Sequence, residues 1–509
     1  MRNYLSDRVL CPLFFSSVIV LVQNTTFSEA VGTQFLSWIV LALVCLGSRG
    51  ATTITYIEDP DSLRFALSVA EGYDVAALQP HFPGYPVFWF LSKGFFLVTG
   101  HFSVAFSLVG GVATVGIVWS LLRLRGASLR STEGAALAGV VGLNPFLWLM
   151  GTRYMPDLLG TAGALGTLAA LLRALTARDE RAALAGMAGA GLLAGLRLSY
   201  LPLVLPLAAA VLWRGPRRWA SLAAGAAGVL VWLVPMTLDT GFGPLVAVAR
   251  EQTAGHFADF GGTVQTEPDL PRRLKRLAES LWAGGLGAWW PGRHPLTAVV
   301  GLGAATCGAA GAAQYGSEGP SRRFWWVAGC AATYLLWAFF FQNIIHKTRH
   351  ILPLLALLLV LPANGAAALW HRGGRWGRAA VTAFAVAYAA VALVLVVQHR
   401  QPTAIAQVKA FAEKQQQAAP GALRVASIPL VNAYLRRQQV EARYFSVTDS
   451  ADVRRLRRTA GRASSDGRTL VVGTHPALLP AKPPRRVRTF YHNPYVNPMW
   501  PEVHVRVYD

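Results

Sequence analysis

Residues 104–122 read VAFSLVGGVATVGIVWSLL, an uncharged apolar run that ends at Arg123. A second run, LLALLLVLPANGAAALW, occupies residues 354–370. Each is long enough to cross the hydrocarbon core of a bilayer as a helix, which takes about 17 to 25 residues. The chain has 509 residues, of which 53% are hydrophobic and 14% are charged, whereas about 25% are charged in a typical soluble domain. The sequence therefore predicts a polytopic α-helical membrane protein.

Eleven apolar runs of this kind are interpreted as membrane spans. They lie near residues 33–48, 102–122, 133–150, 158–173, 182–196, 198–213, 219–236, 296–314, 324–342, 350–370 and 379–397. A further run at 9–23 conflicts with this path, because a full crossing there would place Arg2 and Arg8 on the outer side. It is interpreted as interfacial or re-entrant. The expected count is eleven, or twelve to thirteen if further segments cross.

The basic residues indicate the orientation. The chain carries 47 Lys and Arg against 25 Asp and Glu, a net charge of +22. In a soluble chain such an excess would indicate a nucleic-acid partner, but here it falls in every second short loop between spans. These loops hold Arg123, Arg125, Arg130, Arg173, Arg178, Arg181, Arg214, Arg217, Arg218, Arg322, Arg323, Arg372, Arg375 and Arg378. Because cytoplasmic loops are enriched in Lys and Arg, we assign them to the cytoplasm and expect no nucleic-acid partner.

The remaining loops then face the extracytoplasmic side, and we expect the protein in a bacterial inner membrane. Residues 1–397 form the predicted membrane domain, with outer loops at 49–101 and 237–295. Residues 398–509 form a separate extracytoplasmic domain, in which the β-type runs LRVASI, ARYFSV and TLVVGT alternate with helical patterns such as SADVRRLRRTAGRA. This alternation predicts a small α/β domain.

Three acids lie close together in the first outer loop, where YIEDPDSLRF (56–65) contains Glu58, Asp59 and Asp61. Carboxylates near hydrocarbon are costly unless water, a cation or a substrate compensates them. Glu58, Asp59 and Asp61 are therefore the first candidates for function, although Asp61 could also serve only as a helix cap.

The residues after these acids have a helical pattern. Leu63, Ala66, Leu67 and Ala70 fall on one face, which predicts an amphipathic helix lying along the membrane interface. Asp61 would stand at its amino end, where the helix dipole favours a carboxylate.

Four motifs on the outer side resemble those of one superfamily. QPHFPGYPVF (79–88) is similar to an HPPGYPL signature, with Phe82 in place of a proline. NPFLWLMGTRYMPDLLG (144–160), GLRLSYLPLVLPL (195–207) and KTRHILPLLALLLVLP (347–362) follow in order. Together with the acid loop they resemble the GT-C superfamily of polyprenyl-phosphate-sugar glycosyltransferases. That superfamily includes the family 39 protein O-mannosyltransferases and the aminoarabinose transferases of lipid A. The resemblance covers roughly residues 33–400, and one departure is DSLR (61–64), with Arg64 where relatives have a second acid.

The resemblance implies inverting transfer of a sugar from a polyprenyl-phosphate donor to an acceptor hydroxyl of a glycan, lipid or protein. A carboxylate would act as general base. Asp61 is favoured from its spacing to Phe65, with Asp59 and Glu58 as the alternatives. Asp59 or Asp157 would position the acceptor.

Basic groups would stabilise the leaving phosphate. The candidates are Arg197, Arg349, Lys347 and His346, and further substrate contacts are expected from His81 and Tyr85. Arg197, Lys347 and Arg349 lie on the side where few positive charges are expected, which favours a functional role over simple contact with lipid headgroups.

No metal motif is present in the sequence, although the superfamily is compatible with a divalent cation that bridges an acid and the donor phosphate. Two other classes remain open. One is a transporter or a carrier of lipid-linked substrates without transferase chemistry. The other is a non-catalytic scaffold whose C-terminal domain binds a partner. The absence of an internal repeat, and acids clustered outside the spans, favour the enzyme.

Overall fold

The computed structural model describes residues 27–508, apart from 216, 260, 320, 419–420, 462–466, 476–477 and 479–482. The apolar run at 9–23 lies outside the described residues. Two regions follow one another along the chain, a helical region rich in apolar helices and a small sheet region.

The helical region contains seventeen described α-helices. They are α1 (Phe27–Ala51), α2 (Pro60–Ala70), α3 (Pro86–Thr99), α4 (Phe102–Arg125), α5 (Thr132–Gly142), α6 (Pro145–Thr152), α7 (Asp157–Ala177), α8 (Glu180–Arg197), α9 (Leu201–Arg214), α10 (Arg218–Thr240), α11 (Phe242–Ala258), α12 (Leu270–Glu279), α13 (Leu296–Glu318), α14 (Arg322–Phe341), α15 (Leu352–Leu358), α16 (Val360–Arg372) and α17 (Gly374–His399).

Within the described residues, nine helical stretches are long and apolar enough to cross a membrane, or ten if the bent pair α5–α6 is one span. The stretch Glu180–Arg214 is counted once there, yet it holds both α8 and α9. A continuous helix from Glu180 to Arg217 would separate these residues by roughly 55 Å. Arg217 Nε instead lies 3.2 Å from Glu180 Oε2, so α8 and α9 run antiparallel. With the bent pair counted as one span and α8 and α9 counted separately, the described residues contain up to eleven candidate spans, the number expected from the sequence.

The predicted span at 133–150 is broken. Helices α5 and α6 meet at an angle of 56°. Asn144 caps α6, its Oδ1 accepting from the backbone N–H of Leu147 at 2.9 Å, and Pro145 follows at the first helical position. Because proline has no N–H to continue the bonds of α5, the helix restarts in a new direction.

The two ends of the bundle differ in composition. At one end the arginine-rich turns meet, and His371 Nε2 lies 2.8 Å from Thr132 Oγ1. At the other end lie α2, α3, α11, α12 and the sheet region. The alternation of basic and non-basic loops in the sequence therefore corresponds to two opposite ends of the structure.

The sheet region contains α18 (Ala404–Ala418), β1 (Leu423–Ser427), α19 (Pro429–Arg437), β2 (Arg443–Ser446), α20 (Ser450–Gly461), β3 (Arg468–Val472), β4 (Arg486–Tyr491) and β5 (Glu502–Tyr508). The strand order is β2-β1-β3-β5-β4. Strand β1 pairs in parallel with β2 and β3, whereas β5 pairs antiparallel with β3 and β4. Val425, Leu470 and Val505 are buried in its core. This is the small α/β domain expected from the sequence.

The apolar face of helix α2, which predicted a position along the membrane interface, is covered by protein. Leu63 packs into the core of the sheet domain, while Phe65, Ala66 and Val69 pack with Tyr85 in an aromatic cluster. The local pattern identified an apolar face without showing which surface covers it, and a position at the membrane interface stays a prediction. The sheet domain covers Leu63 and Leu67, and the aromatic cluster covers Ala66, which places α2 between the two domains.

Candidate active site

Charged side chains from four separate segments meet at the end of the bundle that carries the sheet domain. We call Asp61, Asp157, Arg197, Lys347 and Arg349 the charged cluster. Asp61 lies in the first turn of α2, Asp157 begins α7 and Arg197 ends α8. Lys347 and Arg349 come from the turn that contains the 3₁₀ segment Thr348–Ile351. Each member was a candidate from the sequence, and the structure brings them together.

Asp61 is held by two cations on one oxygen. Its Oδ2 accepts from Arg349 Nη2 at 2.8 Å and from Lys347 Nζ at 3.2 Å. Arg64 Nη1 lies 3.8 Å from the other oxygen. Burial alone would raise the pKa of Asp61, but Lys347 and Arg349 hold this pKa well below its ordinary value. Asp61 is therefore a carboxylate throughout the physiological pH range.

Asp157 and Arg197 form a second ion pair, almost completely buried. Arg197 Nη2 lies 2.8 Å from Asp157 Oδ1, and Arg349 Nε lies 3.7 Å from the same oxygen. Arg349 thus stands between the two carboxylates. The pair depends on a close approach of α7 and α8 at Gly160, where an added Cβ would lie 2.6 Å from Arg197 Cβ.

Tyr85 and His81 extend the cluster through hydrogen bonds. Arg197 Nη1 donates to Tyr85 Oη at 3.0 Å, and Tyr85 Oη lies 3.2 Å from His81 Nε2. Burial lowers the pKa of His81 to about 3, so its imidazole is neutral.

Two buried N–H groups in the cluster lack a hydrogen-bond acceptor among the residues that the structure describes. They are Arg197 Nε and Arg349 Nε. An unsatisfied buried donor costs about 1–3 kcal/mol. These donors therefore favour a bound anion or hydroxyl group at this place.

Asp59 caps α2. Its Oδ1 accepts from the backbone N–H of Ser62 at 2.8 Å. Burial, and then the neighbouring charges of Asp61 and Glu58, raise the pKa of Asp59 to about 6. Of the three acids in this loop, Asp59 thus has the pKa nearest to neutral pH. Its hydrogen bond to Ser62, however, is a helix cap and gives it a structural role.

Glu58 points into a different cluster, between the membrane and sheet domains. Its Oε1 lies 3.0 Å from Arg153 Nη2 and 3.1 Å from His399 Nε2, and accepts from Asn497 Nδ2 at 2.8 Å. The backbone oxygen of Glu58 accepts from Thr403 Oγ1 at 2.8 Å. We call Glu58, Arg153, His399 and Asn497 the interdomain cluster. Burial opposes the charged form, but Arg153 and His399 outweigh it and lower the pKa of Glu58 to about 2.

Sequence reasoning missed the partners of Glu58. Arg153 was visible as a positive charge on the outer side, in the turn GTRYMPD. His399 and Asn497 gave no signal, because they come from the end of α17 and from the tail before β5. None of the hydrogen bonds or ion pairs of Glu58 in the described residues is with the charged cluster.

His346 does not join the charged cluster either. Its Nε2 lies 2.7 Å from Glu267 Oε1, and 54% of its side chain is exposed. Lys347, the next residue, points to Asp61 instead. His346 and Lys347 therefore contact different acids, and only Lys347 belongs to the charged cluster.

A divalent cation at the charged cluster would compete with the protein's own cations. In the described residues no group of three His, Cys, Asp or Glu side chains could hold a metal ion. Asp61 and Asp157 both face arginine or lysine, so a metal ion would meet positive charge at either carboxylate. Lys347 and Arg349 hold Asp61 Oδ2, and Arg197 holds Asp157 Oδ1, so a metal ion would have to replace a cation at either oxygen.

Solved structures of ArnT from Cupriavidus metallidurans are similar to this chain over almost its whole length. The structure bound to undecaprenyl phosphate has a TM-score of 0.50 and 13% identity, and the match covers 94% of this chain and 98% of that chain. The apo structure has a TM-score of 0.51 and 14% identity with the same coverage. The oligosaccharyltransferase from Archaeoglobus fulgidus, tethered with an acceptor peptide, has a TM-score of 0.48 and 12% identity over 82% of this chain and 64% of its own. No family model matches the chain, and no curated protein matches it significantly.

The chain is thus an integral membrane protein with the GT-C fold, a multi-span helical domain followed by a small sheet domain. The fold expected from the four sequence motifs is confirmed. ArnT is an aminoarabinose transferase, one of the groups that those motifs resemble.

Proposed function

We propose that this protein is a membrane glycosyltransferase that moves a sugar from a polyprenyl-phosphate donor to an acceptor hydroxyl on the extracytoplasmic side. The acceptor hydroxyl belongs to a glycan, a lipid or a protein. One observation carries the proposal: a buried carboxylate, Asp61, lies at the centre of three cations, Lys347, Arg349 and Arg64. A base beside an anion-binding group is what this transfer requires.

The reaction breaks the bond between the anomeric carbon and the donor phosphate, and forms one between that carbon and the acceptor oxygen. Asp61 accepts the proton that the hydroxyl loses. The phosphate leaves with the bonding electron pair as a monoester dianion, and Arg349, Lys347 and Arg197 stabilise its charge. Attack from the face opposite the phosphate inverts the anomeric configuration.

The buried surroundings strengthen these charge interactions. Asp157 and Arg197 are nearly inaccessible to solvent, and an arginine in a water-poor site stabilises a phosphate far better than in bulk water. Tyr85 holds Arg197 in place from the other side. Asp157 and Asp59 are the groups that would orient the acceptor.

Two features support the donor class and the side. ArnT, which has the same fold, binds undecaprenyl phosphate. The charged cluster lies at the end of the bundle opposite the arginine-rich turns, which the positive-inside rule assigns to the cytoplasm.

The test is sugar transfer by purified protein in nanodiscs, with undecaprenyl phosphate that carries a radiolabelled hexose or pentose. Release of undecaprenyl phosphate is followed together with labelling of envelope glycan, lipid and protein. We expect Asp61→Asn to lower the rate by about 10²- to 10⁴-fold, the usual contribution of a general base. Asp259→Asn, at an exposed acid in the same outer region, is the matched control and should retain the rate.

Each other outcome overturns the proposal. Equal transfer by wild type and Asp61→Asn would reject Asp61 as the base. Movement of the labelled lipid between leaflets without any transfer would identify a carrier. Neither transfer nor movement, with every donor tested, would favour a non-catalytic scaffold.

A further inference from the structure

The proposed base is bound by the cations that the donor phosphate needs. Arg349 and Lys347 both donate to Asp61 Oδ2, at 2.8 and 3.2 Å. A carboxylate held in this way has a low affinity for protons, and a weak base contributes little to catalysis. The site as it stands is therefore arranged for binding an anion rather than for accepting a proton.

The cations have capacity for a further anion. Around Asp59, Asp61 and Asp157 stand four cations, Arg64, Arg197, Lys347 and Arg349, of which Arg197 and Arg349 are nearly buried. Arg197 Nε and Arg349 Nε donate to no acceptor among the described residues. A phosphodiester brings one negative charge and several acceptor oxygens, which match both the unused donors and the excess cation.

We infer that the donor phosphate displaces Asp61 from Arg349 and Lys347, so that Asp61 becomes an effective base only while the donor is bound. This inference rests on the proposed function. Donor binding would then raise the basicity of Asp61, and the donor would have to bind before Asp61 can activate the acceptor.

The geometry favours exchange at Asp61 rather than at Asp157. Asp157 lies against Arg197 at 2.8 Å and is 1% exposed, whereas the side chains of Asp61 and Lys347 are 12% and 32% exposed. Asp157 keeps its ion pair with Arg197 while Arg349 turns Nη2 and Nε to the phosphate. The more accessible pair is therefore the one that opens.

The proton balance closes over one cycle. With the donor bound, Asp61 takes the acceptor proton and becomes neutral, and the leaving phosphate dianion keeps Arg349 and Lys347. When the lipid phosphate departs, both cations return to Asp61. They lower its proton affinity again, and the proton passes to solvent.

The groups that face Asp61 come from three elements. Arg64 and Asp59 belong to α2 and its cap, His81 to the loop before α3, and Lys347 and Arg349 to the turn before α15. His81 stays neutral, because burial lowers its pKa to about 3. Asp59, whose pKa is raised to about 6, also titrates on the acidic side of neutral pH and is controlled for below.

The decisive experiment measures binding of undecaprenyl phosphate, which carries no sugar and so cannot turn over, to the protein in nanodiscs. We expect Asp61→Asn to bind it about tenfold more tightly than wild type, because one largely buried ion pair no longer has to open. Lys347→Met should bind it about tenfold more weakly. Asp259→Asn should bind it as wild type does, and thermal unfolding checks that each variant is folded.

A second measurement tests the basicity of Asp61. The acidic limb of kcat reports on the donor complex, and that of kcat/KM for the donor reports on the free enzyme. We expect the kcat limb at the higher pH, in wild type and also in Asp59→Asn, which removes the titration of Asp59.

The outcomes separate the two proposals. Weaker or unchanged binding by folded Asp61→Asn, or coincident acidic limbs, would overturn the inference while transfer by wild type still stands. Tighter binding by Asp61→Asn without transfer by wild type would overturn the proposed function, yet retain the competition between Asp61 and phosphate. No binding of undecaprenyl phosphate by wild type would overturn both.

Discussion

Replacement of Glu58 by glutamine should loosen the sheet domain from the membrane domain. Glutamine keeps the shape of the side chain but removes its charge, so Arg153, now 4% exposed with its carboxylate partner in place, becomes a buried cation without a counter-ion. Breaking one partner of a buried ion pair costs about 3–5 kcal/mol.

The structure gives a similar magnitude by a second route. The pKa of Glu58 falls from about 4.5 to about 2, which corresponds to about 3 kcal/mol of stabilisation at neutral pH. Because the folded-state pKa is depressed, this stabilisation is fully present above the unfolded pKa of about 4.5. It is lost as the pH falls from about 4.5 towards 2.

The assay is thermal unfolding in detergent at pH 7 and at pH 3, together with hydrogen exchange across residues 404–508. At pH 7 we expect Glu58→Gln to unfold at a lower temperature than wild type and to exchange faster in the sheet domain. At pH 3 the difference should shrink, because Glu58 is by then mostly protonated in the unfolded chain of wild type, and part of the stabilisation from its depressed pKa is lost. Glu251→Gln, at an exposed acid of α11, is the matched control. Equal unfolding temperatures for Glu58→Gln and Glu251→Gln at pH 7 would refute the reasoning.

Three further predictions concern the charged cluster, each measured as the initial rate of sugar transfer. Gly160→Ala should lower the rate by more than about tenfold, because the new Cβ would lie 2.6 Å from Arg197 Cβ and displacement of a catalytic group is costly. Gly94→Ala is the matched control and should keep the wild-type rate, because a Cβ there meets nothing within 4 Å. Equal rates for the two variants would contradict the packing argument. The rate of His346→Ala should stay within about twofold of the wild-type rate, because the exposed His346 contacts Glu267 and not the charged cluster. A larger loss of rate would place His346 at the donor. Treatment with EDTA should leave the rate unchanged, because lysine and arginine occupy the carboxylate oxygens, whereas a loss that Mg²⁺ or Mn²⁺ restores would show that a metal ion takes part.

The membrane spans could be predicted because their signal is local. A run of about 20 apolar residues identifies a span wherever its neighbours lie, and the arginines of the short loops give its direction. The break at Asn144–Pro145 carried a local signal too, since an Asn–Pro pair disfavours a continuous helix. The packing of α2 against protein carried no local signal, because its apolar face fits a lipid surface and a protein surface equally well.

The charged cluster could be predicted only in part. Lys347, Arg349 and Arg197 stood out because they break the charge rule for the outer side, and Asp61 because it precedes an amphipathic helix. Their pairing joins residues 286 and 288 positions apart, and no pattern in the sequence carries that information. For the same reason the sequence named Glu58 but not its partners.

Strand β5 lies between β3 and β4 rather than at an edge of the sheet, and Asn497 comes just before it. During synthesis the carboxylate of Glu58 can therefore accept its hydrogen bond from Asn497 only after the ribosome has added 439 further residues. A nascent chain that has inserted all its described spans still lacks this hydrogen bond, so we expect the loop that holds Glu58 to become fixed only when the sheet forms.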